Sequence, residues 1–136
     1  MKEFNLPAKL ESIPILTDAV NEILEEHDCS MKAQMQLDIA IDEIFANIAH
    51  YAYAPGTGDA TVQLEFFGEP LSARLTFIDS GVPFDPLERT EPDVTLSAEE
   101  RQIGGLGIFL VKKTMDAMRY ERRDGQNVLV LEKRIG

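Results

Sequence analysis

The sequence predicts an α+β fold: a two-layer sandwich with a mostly antiparallel sheet covered on one face by about three helices. Three observations lead there. Long stretches carry apolar residues at helical spacing, and shorter ones alternate apolar and polar with period two. The alternating stretches are joined in pairs by turn residues, as in hairpins. The order is strand, helix, helix, strand, strand, an irregular stretch, helix, strand, strand, which suits helices packed on one face of an antiparallel sheet.

Lys2 to Leu6 reads as a short edge strand closed by Pro7. Ile13 to His27 reads as a helix, with Ile13, Leu16, Val20, Ile23 and Leu24 at helical spacing and Pro14 in the first turn, where its missing N–H costs little. Ser30 is placed to cap a second, long helix. Leu37, Ile41, Ile44, Ile48 and Tyr51 form one continuous apolar stripe on it, and Pro55-Gly56 should end it. Val62, Leu64 and Phe66 alternate with polar residues, as do Leu71, Ala73, Leu75 and Phe77. Gly68-Glu69-Pro70 is the turn between these two strands. The pattern is lost from Ser80 to Ile103, a proline-containing acidic stretch of the length usual for a functional lid or a disordered segment, with a short helix expected near Ala98 to Arg101. A third helix is expected from Gly107 to Ala117. A last hairpin should follow: Arg119 to Arg123, a turn at Asp124-Gly125, and Val128 to Leu131.

The 136 residues fit one domain spanning 1–136, and the balance of 44% hydrophobic and 27% charged residues is that of a globular protein. A net charge of −11 argues against nucleic acid, which needs clustered Lys and Arg, and against anionic membranes; it suits solubility or a basic protein partner. Cys29, the single cysteine, has no disulfide or CxxC partner and reads as a passive thiol in a reducing, cytoplasmic compartment. The first ten residues lack the apolar core of a signal peptide, and no apolar run is long enough for a membrane span.

Three stretches carry chemistry. On the second helix, Glu43 and Asn47 lie four residues apart on one face, with His50 on the same side, so a polar stripe borders the apolar one. A carboxylate there can take a proton from a hydroxyl, and an amide oxygen suits Mg²⁺; a plain polar pair at the helix boundary is the alternative. In Phe77-Ile78-Asp79-Ser80-Gly81, period-two phase turns Asp79 toward the core with Leu71, Ala73, Leu75 and Phe77. A buried carboxylate needs a partner. It could accept from the amino group of an adenine, with Gly81 letting the backbone approach the ring, or cap its own turn. In Gly104-Gly105-Leu106-Gly107, glycines open a helix whose N–H groups can hold phosphate. The tract lacks the Gly-Lys-Ser/Thr of a P-loop and the βαβ setting of a dinucleotide fingerprint; a hinge is the alternative.

Taken in order, these stretches resemble the N, G1 and G2 boxes of the GHKL (histidine-kinase-like, Bergerat-fold) ATPases. Asn47-Ile48-Ala49-His50-Tyr51-Ala52-Tyr53, Asp79-Ser80-Gly81-Val82-Pro83-Phe84-Asp85 and Gly105-Leu106-Gly107-Ile108 with Met115-Asp116 are most similar to the anti-sigma-factor serine/threonine kinase branch. The resemblance runs from about Phe4 to Lys133. It implies ATP and Mg²⁺ as cofactors, Glu43 as general base and Asn47 as Mg²⁺ ligand. It implies Asp79 with Gly81 at the adenine, and Gly104, Gly105, Leu106 and Gly107 at the phosphates. It further implies phosphorylation of a Ser or Thr on an anti-sigma antagonist of the STAS type, binding of a sigma factor, and a homodimer formed through the first strand and first helix. The chain departs from the family in its arginine: Arg101 is separated from Gly104 by Gln102 and Ile103, with Lys112 and Lys113 the other nearby cations. A transferred phosphoryl group needs such charge. An ATP-binding regulatory module with little or no kinase activity is therefore the second reading, and an acidic interaction domain without nucleotide the third.

Overall fold

The computed structural model describes residues 1–88 and 106–136. They form three helices on one face of a five-stranded, wholly antiparallel sheet, the architecture read from the sequence. The strands are β1 (Lys2–Pro7), β2 (Asp59–Phe67), β3 (Ser72–Asp79), β4 (Ala117–Arg123) and β5 (Gln126–Arg134), in the spatial order β1-β2-β3-β5-β4. Helix α1 spans Ser12–Glu26, α2 Met31–Asn47 and α3 Leu106–Thr114.

Alternation decides which sheet face is covered. Val62, Leu64, Ala73, Leu75, Phe77, Leu129 and Leu131 are buried toward the helices. Leu16, Val20 and Leu24 of α1, Leu37, Ile41, Ile44 and Phe45 of α2, and Ile108 and Val111 of α3 close over them. Helix α2 begins as its sequence predicts: Ser30 has extended backbone, and its Oγ accepts the Ala33 N–H at 3.2 Å. The β4–β5 hairpin turns at Asp124-Gly125, both with positive φ (53° and 77°), the pair of left-handed conformations a tight hairpin requires.

Three expectations change. The second helix does not run unbroken to Pro55: after Asn47 it widens into a π-helical turn, Ile48–Ala52. The wider turn breaks the 3.6-residue phase. Tyr51 therefore leaves the core stripe and stands 36% exposed, and His50 is exposed instead of sharing the face of Glu43 and Asn47. The third helix ends at Thr114, and Ala117 already belongs to β4. There the Asp116 N–H donates to the Glu132 carbonyl (2.9 Å) and its carboxylate accepts the Arg134 N–H (2.6 Å), which draws the chain into the sheet. Finally, β5 runs longer than Val128 to Leu131 on both sides, because β3 and β4 flank it along its length. The short helix expected near Ala98 to Arg101 lies outside the described residues.

Candidate active site

A cleft of about 430 Å³, open solvent included, lies between the C-terminal half of α2 with its π turn and the end of the sheet where β3 finishes and β5 begins. Ile44, Ile48, Ala52, Phe77, Leu129 and Pro86 make its walls apolar. Asn47, Asp79, Asn127 and Tyr120 bring the polar atoms, and Tyr51 stacks on Phe84 at the mouth with ring centroids 6.1 Å apart. A mostly apolar cavity with a few convergent polar groups is the usual form of a small-ligand site.

Asp79 ends β3 and faces inward, 6% exposed, as its phase requires. Its Oδ1 accepts from the Gly81 N–H and from Asn127 Nδ2, both at 2.9 Å. These are the bonds the described residues give this carboxylate, and Oδ2 is left with none. The turn-capping reading of Asp79 is thus what the structure shows: one oxygen closes the turn, and the other makes no hydrogen bond among the described residues. Gly81 is needed by the backbone. A methyl group added there would fall 2.1 Å from the Ala52 carbonyl oxygen, and the next N–H, of Val82, donates to that same oxygen at 2.8 Å. The G1 turn and the π turn are thereby locked together. Tyr53 adds a second lock: its hydroxyl donates to the Asp59 carbonyl (2.6 Å) and accepts the Ser80 N–H (2.8 Å).

On the opposite wall, Asn47 is 8% exposed, and its Nδ2 is buried with no hydrogen-bond partner among the described residues. A buried polar atom without a partner calls for an explanation such as a ligand. One turn earlier, Glu43 is half-buried. Burial, reinforced by the neighbouring Asp42 charge, raises its pKa above the ordinary glutamate value, which moves a carboxylate toward the range useful for proton transfer. Gly107 stands against it. A methyl group on Gly107 would lie 2.0 Å from Glu43 Cδ, so the glycine gives the carboxylate its place beside the first turn of α3. Leu106 opens that helix; Gly104, Gly105 and Arg101 lie outside the described residues. Lys112 reaches the Leu87 carbonyl (3.4 Å), and Lys113 lies over the Phe109 ring (5.3 Å).

The fold thus brings Glu43, Asn47, Asp79, Gly81 and Gly107 to one end of the sandwich. A profile of the histidine kinase-like ATPase domain matches residues 6–133, nearly the whole chain. The chain belongs to that family. Within the histidine kinase-like ATPases it is similar to the serine/threonine-protein kinase BtrW of Bordetella bronchiseptica, 32% identical over 102 residues that cover 75% of this chain and 71% of the relative. It is also similar to the serine-protein kinase RsbW of Listeria monocytogenes, 30% identical over 130 residues, covering 92% and 82% respectively. The resemblance to the anti-sigma serine kinases therefore stands. A chain of the SiaB–SiaC complex from Pseudomonas aeruginosa shares the fold, with a TM-score of 0.60, 18% identity, and coverage of 98% of this chain and 89% of that one.

Asn127 and Tyr120 were not foreseen from the sequence. Asn127 follows a turn and reads as an ordinary strand-edge residue; only the pairing of β3 with β5 sets it opposite Asp79.

Proposed function

We propose that this chain binds ATP in the cleft and transfers its γ-phosphoryl group to a Ser or Thr hydroxyl of a partner protein, an anti-sigma antagonist of the STAS type. The observation that carries the reading is Asp79: a buried carboxylate on the floor of an apolar cleft, one oxygen tied down and the other open to an amino group. Asp79 reads the adenine. Glu43, of raised pKa, takes the proton from the attacking hydroxyl.

Among the described residues no cluster of three or more His, Cys, Asp or Glu could hold a metal ion. The donor set nonetheless fits Mg²⁺ carried on phosphates, which needs only one or two protein oxygens. The Asn47 side-chain oxygen, at the cleft wall, would supply one, and the Nδ2 beside it, without a partner among the described residues, is a donor for a phosphate oxygen. When bound, ATP·Mg²⁺ brings the phosphoryl group and the charge that screens it. Arg101, Gly104, Gly105, Leu106 and Gly107 are assigned to the phosphate side. The acidic chain fits a partner with basic surface, and a sigma factor is a further candidate. A homodimer through β1 and α1, a single domain over 1–136 and residence in the reducing cytoplasm complete the reading. Among the described residues no helix is long and apolar enough to cross a membrane.

The test is calorimetric titration of ATP, with and without Mg²⁺, into the intact chain and its Asp79→Ala variant, then mass spectrometry of a STAS-type partner incubated with ATP. Saturable, Mg²⁺-assisted binding that the substitution removes, followed by a single phosphosite, is expected. Binding without phosphate transfer would leave an ATP-responsive interaction module. No binding would end the nucleotide assignment.

A further inference from the structure

Asn127 is 5% exposed, directly opposite Asp79 in the β3–β5 register, and its side-chain amide uses its full bonding capacity. Nδ2 donates to Asp79 Oδ1 (2.9 Å) and to the Val82 carbonyl (2.8 Å). Oδ1 accepts from the Tyr120 hydroxyl and from the Phe84 N–H (3.3 Å). Two donors and two acceptors are all that an amide has. The neighbours also fix which way the amide points. The Val82 carbonyl can only accept and the Phe84 N–H can only donate, so the reversed amide would face two mismatches. The turn after β3 is also held from β4 by Arg122, whose guanidinium donates to the Gly81 carbonyl at 2.7 Å.

Asn127 and Tyr120 line the cleft, yet neither is part of the three sequence motifs. From this geometry we propose that Asn127, held by Tyr120, is a positioning residue that sets the base specificity of the site. The inference rests on the ATP-site reading above. Asn127 does two things through Asp79. It draws Oδ1 back into the strand pair, so that Oδ2 is the oxygen shown to the ligand. It also spends its own N–H groups, so that it cannot turn to offer a donor to the cleft. The polar pair on the floor then presents an acceptor alone. A 6-amino purine meets that acceptor with an N–H. A 6-oxo purine meets it with another acceptor, and both groups are left unpaired, which is costly in a buried site. With the clamp broken, Asp79 regains freedom to rotate, and the amide or a water can donate to a 6-oxo group.

The experiment titrates ATP and ITP, which differ at the 6-position, into the full chain and into Asn127→Leu and Tyr120→Phe, with thermal melts to confirm folding. The intact chain should prefer ATP by about tenfold or more, the scale of one lost or mismatched charged hydrogen bond. Asn127→Leu should weaken ATP and bring the ATP:ITP ratio close to one. Tyr120→Phe, which removes a single hydroxyl from a half-buried ring, should shrink the ratio by a smaller factor while the protein stays folded, and it decides the matter if Asn127→Leu does not fold. Loss of ATP affinity at an unchanged ratio in a folded variant would overturn the proposal, since a merely structural residue weakens both ligands alike. Full retention of affinity and ratio in Tyr120→Phe and Asn127→Leu would overturn it as well. Failure of the intact chain to bind ATP would remove the ATP-site reading itself, and the inference with it; binding of ATP with unmoved ratios would remove the inference alone.

Discussion

At the scale of single residues, the site is a contrast between two carboxylates. Asp79 is bonded on one oxygen by Gly81 and Asn127, whereas Glu43 is half-buried beside Asp42 and has its pKa raised by that burial first and by the Asp42 charge second. A base of raised pKa is protonated, and idle, over a wider acidic range. The acidic limb of kcat/KM for phosphate transfer should therefore lie above the ordinary glutamate range. Glu43→Gln should remove that limb and lower kcat by roughly 10²–10⁴-fold, the usual contribution of a general base, with ATP affinity little changed. Phosphate transfer at full rate by Glu43→Gln would sink the role. The residue scale is also where legibility divides. Asp79 was legible because strand phase is a local, period-two signal. Asn127 was not, because its meaning comes from a partner 48 residues away in sequence.

At the scale of elements, the sequence exposed what is periodic and hid what interrupts the period. Helix α2, its Ser30 cap and the Asp124-Gly125 hairpin could be read in advance, each resting on side chains a few residues apart. The π turn Ile48–Ala52 could not, since Ile48 and Tyr51 continue the spacing of an ordinary helix. The end of α3 was missed for the same reason: Ile108, Val111 and Met115 are all buried at helical spacing, although the helix stops at Thr114. The π turn and the G1 turn meet at Gly81, where no side-chain atom fits. Gly81→Ala puts a methyl group against backbone, not a flexible side chain. It should cost about 1–3 kcal/mol, as overpacking does. A denaturant midpoint unchanged by this substitution would show that the two turns are less firmly joined than the Val82-to-Ala52 bond indicates.

At the scale of the whole molecule, charged side chains link the strands across the open face of the sheet. Arg74 bridges Glu132 (2.7 Å) and Glu65 (3.0 Å) while lying over the Phe67 ring (4.3 Å), and Arg119 adds a second bond to Glu132 at 3.1 Å. This network ties β2, β3, β5 and β4 together across the sheet. The Glu132 carboxyl is held below its ordinary pKa by the bond from Arg119 first and by Arg74, against the effect of burial. A group whose pKa is lower in the folded chain stabilises it above the unfolded-state pKa, and that contribution is lost as pH falls through the folded value. Urea midpoints should fall on acidification through and below the ordinary glutamate range. Glu132→Gln should be less stable by about 1 kcal/mol near neutrality and flatter over the acid window; an equally steep acid loss in the variant would assign the effect to other carboxylates.

The strand order has a consequence for how the protein comes into being. Strands β2 and β3 are neighbours in sequence and can pair as soon as both are made. The other half of the cleft floor, β5, returns only after α3 and β4. Closing so long a loop is slow compared with forming a local hairpin. On the ribosome, a chain synthesised as far as Asp79 already carries this carboxylate but lacks the Gly81 N–H and the Asn127 amide that hold it. On the reading proposed above, nucleotide should then assist only the late steps of folding, since the cleft floor is complete only once β5 has joined β3.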